Sequence, residues 1–367
     1  MLRRHSIVHP STMTSNPRFN KRTTATEVAK AYSEHIKGKT ILITGVSPTS
    51  IGANTAYALA SGEPEQMILA SRTKKNIDAV LDNIKSHYPS VKVTPLILDL
   101  SSQKSVRDAA AEINSTITKI DLLVANAGIM ALPTRTLSPD GIELQFATNH
   151  IGHFLFTNLI MDKLRKAATL SRTPGSTRVV MLTSNGHRFS PVRFHDYNFD
   201  GKPIPSEEEP GTQAMIDRGI GFPAFDEQGY DRFVAYGQSK TANILFALYL
   251  RAKLAREGIQ AMSVHPGAIG TNLIRYYTNS PITNTIARCI LRTNGLLGIG
   301  QFKTTDAGAA TTIVAALDPK LSSLKDTDGI YLQDCQFGSP AAHATGFEAA
   351  EKLWSLSEEL VGEKFVI

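Results

Sequence analysis

The stretch KTILITGVSPTSIGANTAYALASG, residues 39–62, decides the fold. It begins with an apolar, β-branched run that is typical of a buried parallel strand, and it ends with small residues that favour a helix. Between them, Gly45 permits a tight turn and Gly52 a close approach of the helix, whose N-terminus can then face a pyrophosphate. Ser50 stands where a middle glycine is expected, and two glycines alone would also fit a plain turn. The whole stretch predicts a strand, a turn and a helix that bind a dinucleotide.

The alternation of strand and helix continues along the chain. Six further apolar runs have the composition of strands: 66–71, 93–100, 121–128, 178–184, 259–267 and 329–335. Together with the first run they predict an α/β fold, a Rossmann-type doubly wound parallel sheet of about seven strands with helices on both faces. Polar residues or turn residues stand at the ends of these runs: Thr44, Ser71, Arg72, Asp99, Asn126, Ser184, Pro266 and Gly267. Because ligands of such sheets bind beyond the carboxyl ends of the strands, we expect these residues near the site.

A tyrosine and a lysine, Tyr236 and Lys240, stand at the head of a run that reads as a long amphipathic helix. Residues four apart share one face of a helix, so the lysine ammonium can lie beside the phenol. A neighbouring cation favours the ionised phenol and lowers its pKa, which suits proton exchange with an alcohol or carbonyl oxygen. The pair predicts acid/base chemistry, although the same spacing also fits a solvated helix face.

Composition limits the classes of function. The chain has 367 residues, of which 42% are hydrophobic and 20% charged, as in a soluble protein with a sizeable core. Its formal charge of +6 comes mostly from the acid-free stretch 1–22, and the rest of the chain is nearly neutral. We therefore expect no nucleic-acid partner.

The cysteines and the apolar runs indicate the cellular compartment and whether the chain has a metal site. Cys289 and Cys335 are isolated, so we expect neither a disulfide nor a metal site. No apolar run is long enough to predict an integral membrane segment or a secretory signal, and we predict a cytoplasmic protein. The basic stretch 1–22 also resembles a mitochondrial transit peptide, but a disordered arm is the favoured interpretation.

The motifs taken together resemble one family. TGxxxxxIG at 44–52, the Asn126-Ala127-Gly128 triplet, the Tyr236xxxLys240 pair and Pro266-Gly267, with the single residues Asp99, Asn149 and Ser184, resemble the short-chain dehydrogenase/reductase family, in its order and over about residues 38–360. TNHIGHFLFTNLIM, AYGQSKTANILFA and SVHPGAIGTNL are most similar to its retinol dehydrogenase and WW-domain oxidoreductase branch, particularly fungal members.

The resemblance implies catalytic roles for four residues. Tyr236 would be the general acid/base, and Lys240 would lower its pKa and hold the nicotinamide ribose. Ser184 would bind the substrate oxygen, and Asn149 would hold a water that links Lys240 to solvent. His150 and His153, which flank Asn149, are expected to be helix histidines with satisfied hydrogen bonds rather than catalytic groups.

The resemblance also implies a set of cofactor contacts. Asp99 would meet the adenine, Asn126 would stabilise the sheet, and Thr271 with the backbone after Pro266 would bind the carboxamide end. The implied cofactor-binding residues are Thr44, Gly45, Ser47, Ser50, Ile51, Gly52, Ser71, Arg72, Asp99, Leu100, Asn126, Ala127, Gly128, Tyr236, Lys240, Pro266, Gly267 and Thr271. The second strand ends in Arg72 with no acidic residue, and Lys74 and Lys75 follow. This end favours the 2′-phosphate of NADP(H), and NAD(H) is the less favoured cofactor.

The domain prediction is an N-terminal extension, 1–37, partly disordered and then a short helix, followed by one Rossmann-fold domain, 38–367. Relative to the simplest family members, residues 187–233 form an insertion, which reads as an excursion near the mouth of the site. Residues 272–302 occupy the place of the family's variable substrate lid, and Tyr276, Tyr277, Ile282 and Leu291 would give it an apolar lining. A bulky lipophilic carbonyl or alcohol is the expected substrate.

The leading hypothesis is an NADP(H)-dependent oxidoreductase that interconverts a ketone or aldehyde and an alcohol. The alternative is a catalytically silent, cofactor-binding regulatory or scaffold protein, against which the joint presence of Ser184, Tyr236, Lys240 and Asn149 argues. A serine hydrolase is excluded because the sequence has no GxSxG motif. A monomer and a homodimer both remain open, since the late helix AAEKLWSLSEELV could dock on a partner or on its own sheet.

Overall fold

The computed structural model describes residues 13–210, 229–269, 303–324 and 329–367. Among them, eight strands form one sheet in the order β3-β2-β1-β4-β5-β6-β7-β8. The strands are β1 Thr40–Thr44, β2 Gln66–Ser71, β3 Lys92–Ile97, β4 Leu122–Ala125, β5 Thr177–Leu182, β6 Ile259–His265, β7 Tyr331–Gln333 and β8 Gln336–Phe337. β1 to β7 pair in parallel, and β8 pairs antiparallel with β7. The predicted doubly wound sheet of about seven strands is confirmed, with one short edge strand added.

Helices alternate with these strands. The α-helices are α1 Ala25–Ala31, α2 Ile51–Ala60, α3 Lys74–His87, α4 Gln103–Thr116, α5 Leu144–Phe146, α6 Gly152–Leu159, α7 Met161–Leu170, α8 Arg232–Leu254, α9 Thr305–Leu317, α10 Pro319–Ser322 and α11 Phe347–Val361. A π-helical turn, Ala147–Ile151, joins α5 to α6. Short 3₁₀ turns include Asn185–Phe189 after β5 and Ala342–Ala344 before α11.

The sheet separates two apolar cores. Side chains alternate across a strand, and in β1 the side chain of Leu42 packs into one core while those of Ile41 and Ile43 pack into the other. The first core contains residues of α4, α6, α8 and α11, and the second contains residues of α1, α2, α3 and α9. Helices therefore cover both faces of the sheet, as the sequence predicts.

The long helix α8 is buried over most of its length. Asp231 caps its N-terminus by accepting hydrogen bonds from the backbone N–H groups of Phe233 and Val234. Its outer face is covered by α11, where the ring of Trp354 stacks on Tyr249 at 4.5 Å. The late helix thus docks on its own chain. Among the described residues, no helix combines the length and the apolarity that a membrane span requires.

The N-terminal extension is attached to the C-terminal part of the chain from Met13 onward. Thr14 Oγ1 donates to the carbonyl of Cys335 at 3.2 Å, and the Ser15 N–H donates to Asp318 Oδ2 at 2.8 Å. Phe19 packs in the core beside α1. The sequence favours a disordered arm over 1–22, whereas these contacts hold the segment 13–22 on the folded chain. The sequence does not predict this attachment, because the partners lie about 300 residues further along. Residues 1–12 lie outside the described part.

Candidate active site

The carboxyl ends of β1, β2, β4, β5 and β6 surround a cavity of about 430 Å³. Most of the predicted site residues line it: Thr44, Gly45, Ser47, Ser50, Ile51, Ser71, Arg72, Leu100, Asn126, Ala127, Gly128, Ser184, Tyr236, Lys240, Pro266 and Gly267. Gly52, Asp99 and Asn149 are not among the lining residues. Thr271 and the expected lid 272–302 lie outside the described residues.

The turn after β1 requires both of its glycines. Gly45 has a φ of +75°, and a Cβ there would stand 2.5 Å from the Cα of Ala127. A Cβ at Gly52 would stand 2.7 Å from the Gly45 carbonyl oxygen, so the helix packs directly on the turn. The side chain of Asn126 donates to the carbonyls of Thr44 at 2.8 Å and Gly45 at 3.1 Å. Asn126 therefore fixes the turn to the end of β4, as the resemblance implies for it.

Ser50, the departure from the glycine pattern, is the N-cap of α2. Its hydroxyl accepts the backbone N–H groups of Ala53 at 3.0 Å and Ser47 at 3.2 Å. The first N–H groups of a helix have no partner within the helix, and they favour an anion. The serine thus closes the loop and leaves the start of α2 beside the cavity. These features fit a bound pyrophosphate.

One end of the cavity is basic. Arg72 is exposed, lines the cavity together with Thr73 and Asn76, and takes part in none of the ion pairs found among the described residues. Lys74, by contrast, is paired with Asp78 at 2.8 Å. Arg72 is therefore available to an anionic ligand.

Asp99 is bonded to its own turn. Its Oδ1 accepts hydrogen bonds from the backbone N–H of Ser101 at 3.0 Å and from the Ser101 hydroxyl at 2.7 Å. Its neighbours Leu98 and Leu100 line the cavity. The carboxylate stabilises the turn before α4, and its contact with an adenine stays a prediction.

Ser184, Tyr236 and Lys240 meet at the other end of the cavity. Tyr236 and Lys240 project from α8, with the lysine Nζ 5.7 Å from the centre of the tyrosine ring. Ser184 follows β5, and its side chain is hydrogen bonded to that of Tyr236. Lys240 also donates to the Leu182 carbonyl at 3.2 Å, which fixes its side chain against β5. The three predicted residues are brought together.

The pKa values of this group correct one expectation. Burial raises the pKa of Tyr236 to about 12, although the hydrogen bond from Ser184 acts in the opposite direction. Burial also lowers the pKa of Lys240 to about 8. The sequence predicts that the lysine lowers the phenol pKa, but in the protein alone the loss of hydration of the buried phenolate is the larger effect.

Asn149 is fully buried behind the lining, in the π-helical turn. Its side-chain oxygen accepts the Ile129 N–H at 2.8 Å, and its amide group donates to Ser239 Oγ at 2.9 Å. Its carbonyl accepts from His153 Nδ1 at 3.0 Å. A Cβ at Gly128 would stand 3.1 Å from Asn149 Oδ1 and 3.3 Å from Lys240 Nζ. Asn149 thus secures the loop after β4, next to the lysine.

The two histidines beside Asn149 are buried and neutral. Burial lowers the pKa of His150 to about 3 and that of His153 to about 4. His153 Nε2 is hydrogen bonded to Thr44 Oγ1 at 2.9 Å, and His150 Nε2 to Ser357 Oγ at 2.8 Å. His153 is hydrogen bonded at both ring nitrogens, as the sequence predicts. For His150 that prediction is wrong at one atom, because its buried Nδ1 has no hydrogen-bond partner among the described residues.

Two residues next to the catalytic group, Gly186 and His187, are not among the predicted site residues. A Cβ at Gly186 would stand 2.7 Å from Cε1 of Tyr236, so only glycine fits there without a shift. His187 Nδ1 lies 2.6 Å from the Ser184 carbonyl oxygen. A glycine two residues after the serine was the available signal for the first. Nothing local marks the second, whose other partner is Ala341.

A parallel sheet that directs a dinucleotide-type turn, a basic end and a serine, tyrosine and lysine into one cavity defines a dinucleotide-dependent oxidoreductase. The comparisons with known proteins agree. The model of the short chain dehydrogenase family matches residues 39–197. The oxidoreductase fscI of Fusarium equiseti is 38% identical over 259 residues, which are 70% of this chain and 98% of that protein.

Two further likenesses extend over more of the chain. Retinol dehydrogenase 12 of Mus musculus is 31% identical over 89% of this chain and 87% of its own length. A solved complex of Pseudomonas aeruginosa RhlG with NADP covers 81% of this chain and 96% of that one, at a TM-score of 0.56. Its 19% identity supports the fold alone. The chain belongs to the short-chain dehydrogenase/reductase family, resembles its retinol dehydrogenase branch, and is an enzyme of the class that acts on CH–OH groups.

Proposed function

We propose that this enzyme is NADP(H)-dependent and interconverts a ketone or aldehyde and an alcohol by hydride transfer, on a bulky lipophilic substrate. The observation that carries the proposal is the arrangement of one cavity, with Ser184, Tyr236 and Lys240 at one end and Arg72 at the other. A hydride donor and a proton donor are both needed to reduce a carbonyl, and this cavity provides room for the first and a phenol for the second.

The proton chemistry is assigned to the side chains at the first end. Ser184 and Tyr236 hydrogen bond to the substrate oxygen, and the Tyr236 hydroxyl gives its proton to that oxygen in reduction or takes it in oxidation. A bound nicotinamide supplies or accepts the hydride, and its oxidised ring is positively charged. That charge and the Lys240 ammonium both favour the phenolate, against the burial that raises the pKa of Tyr236 to about 12.

Binding of a dinucleotide is supported by the close packing of the glycine turn after β1 on α2, and by the start of α2, which lies beside the cavity and favours an anion. The preference for NADP(H) over NAD(H) is supported by Arg72. A guanidinium that pairs with no carboxylate of the described residues can pair with a 2′-phosphate and stack on the adenine.

A lipophilic substrate is supported by apolar side chains near the catalytic end. Ile129, Met130 and Ile269 line the cavity. Met130 also packs against a small apolar cluster on the same side, formed by Ala131, Phe189, Phe233 and Val234. We propose that this cluster forms part of the substrate pocket.

Two further proposals concern the protein as a whole. We propose that it is a monomer, because the outer face of α8, an apolar surface that would suit a partner helix, is covered by α11. Cytoplasmic localisation remains a prediction from composition, with a mitochondrial location as the alternative.

The test is to titrate the purified protein with NADPH and NADH and to follow cofactor oxidation with a panel of ketones, aldehydes and quinones. We expect tighter binding of NADPH and turnover of bulky carbonyls. Binding of NADPH without turnover of any compound would instead support the silent scaffold. A lower Michaelis constant for NADH would contradict the cofactor preference.

A further inference from the structure

His187 is held at both ring nitrogens. Nδ1 lies 2.6 Å from the carbonyl oxygen of Ser184, and Nε2 lies 2.9 Å from the backbone nitrogen of Ala341. A carbonyl oxygen can only accept and a backbone N–H can only donate, so Nδ1 carries the proton and Nε2 accepts. The ring is fully buried, and burial lowers its pKa to about 3. His187 is therefore a neutral bridge between two distant parts of the chain.

The second part of the chain is the turn that precedes α11. Within it, His343 Nε2 donates to the carbonyl of His187 at 2.8 Å. The same carbonyl accepts the hydroxyl of Thr241, from α8, at 2.9 Å. The side chain of Arg188 donates to the carbonyl of Ser339. We define residues 184–190 as the Ser184 loop. The turn 339–344 donates hydrogen bonds to this loop and also accepts one from it.

The β-sheet does not hold the Ser184 loop in place. β5 ends at Leu182, so Ser184 lies beyond the sheet. Because Gly186 has no side chain, the loop lies in close contact with the Tyr236 ring. The loop also lies close to α8, since a Cβ at Gly237 would stand 2.8 Å from the Gly186 carbonyl oxygen. A small displacement of the loop would move the serine hydroxyl away from the tyrosine hydroxyl, and both must reach one substrate oxygen.

We propose that His187 is a positioning residue, which holds the catalytic serine in place by bonding the Ser184 loop to the turn 339–344. The inference rests on the proposed function for its kinetic consequence, but the coupling between the two segments can be measured without turnover. His343 completes the connection from the side of the turn.

The sharpest experiment compares two amide replacements at position 187. Asparagine places its N–H donor near the position of Nδ1, so His187→Asn keeps the bond to Ser184 and loses the one to Ala341. Glutamine reaches the position of Nε2, so His187→Gln keeps the acceptor for Ala341 and loses the donor to Ser184. We expect His187→Asn, which removes the bond between the two segments, to lower kcat about ten- to hundredfold with the Michaelis constant for NADPH unchanged. His187→Gln should lower kcat less, because it keeps that bond and the Ser184 carbonyl still accepts the backbone N–H of residue 187 at 3.0 Å. NADPH deuterated at the transferred position should give a larger isotope effect in His187→Asn, because hydride transfer becomes slower.

A second pair tests the other end of the connection without altering a fully buried residue. His343 is only partly buried, and glutamine, but not the shorter asparagine, can place a donor near its Nε2. Amide hydrogen exchange should be faster over residues 184–190 in His343→Asn and unchanged in His343→Gln. It should be faster over 339–345 in His187→Asn. His87→Gln, at an exposed histidine of α3, is the control and should change neither segment.

Two results would overturn the inference. One is equal kcat for wild type, His187→Asn and His187→Gln. The other is exchange that changes only at the mutated segment, because the two segments would then be independent. If the wild type itself turned over no substrate, the proposed function would fail, and the exchange measurement would still decide whether His187 couples the two segments.

Discussion

The backbone of Gly186 lies against the ring of Tyr236, and a Cβ at position 186 would stand 2.7 Å from Cε1 of the tyrosine. This relationship sets the position of the phenol relative to Ser184, because Ser184 and Gly186 belong to the same short loop and the Gly186 N–H donates to the serine hydroxyl at 3.1 Å. The absence of a side chain at 186 is therefore a requirement of the catalytic geometry.

Gly186→Ala should displace the Tyr236 ring and lower kcat about ten- to hundredfold, while NADPH affinity stays close to that of the wild type. Steady-state kinetics and a fluorescence titration with NADPH measure the two quantities. Gly346→Ala is the matched control, because a Cβ at Gly346 meets nothing within 4 Å. Normal turnover of Gly186→Ala would show that the loop can move aside without consequence.

Tyr236→Phe keeps the ring packed against Gly186 but removes the transferable proton. We expect kcat to fall by roughly two to four orders of magnitude, with cofactor binding preserved. Kinetics with the best substrate of the panel provide the measurement. Near-normal turnover would rule out Tyr236 as the proton donor.

Arg72→Ala should raise the Michaelis constant for NADPH and leave that for NADH unchanged. A charge-assisted hydrogen bond contributes about 1.5–3 kcal/mol, which corresponds to about ten- to hundredfold in affinity. Lys74→Ala, at a lysine that is already paired with Asp78, is the control and should change neither constant by more than a small factor. Indifference of NADPH to the loss of Arg72 would contradict its proposed role.

The buried histidines predict that the protein loses stability in acid. Burial lowers the pKa of His150 from an ordinary 6.5 to about 3, chiefly because the ring is removed from water. Between these values the unfolded chain binds a proton that the folded chain does not, so stability is full above pH 6.5 and falls as the pH decreases. His153 acts in the same direction down to about pH 4.

Each of these histidines should contribute about 1.4 kcal/mol of lost stability per pH unit in that range. Urea unfolding of the wild type at several values between about pH 7 and pH 5 measures the total slope. In His150→Gln the slope should decrease by the share of one histidine, whatever the effect on stability at neutral pH. An unchanged slope would mean that His150 is already protonated, or exposed, in the folded protein.

Sequence patterns predict the parts of this structure that depend on local spacing. The turn between β1 and α2 follows from residues 44–52, and the facing of Tyr236 and Lys240 follows from four residues of helix. β8 was not predicted because Gln336 and Phe337 are too few to show an alternation. The pKa of Tyr236 was predicted in the wrong direction because its extent of burial depends on the whole fold. His187 could not be found because the partner of its Nε2 is 154 residues away.

The attachment of the N-terminal segment to the end of the sheet has a consequence for synthesis on the ribosome. The backbone N–H of Thr14 donates to the side-chain oxygen of Gln336 at 3.0 Å, and the two residues are 322 positions apart. Residues 13–22 are synthesised early. Their partners Asp318 and Gln336 are synthesised about 300 residues later. During translation the start of the chain must therefore wait outside the growing sheet, and it reaches its place only after nearly the whole polypeptide has emerged.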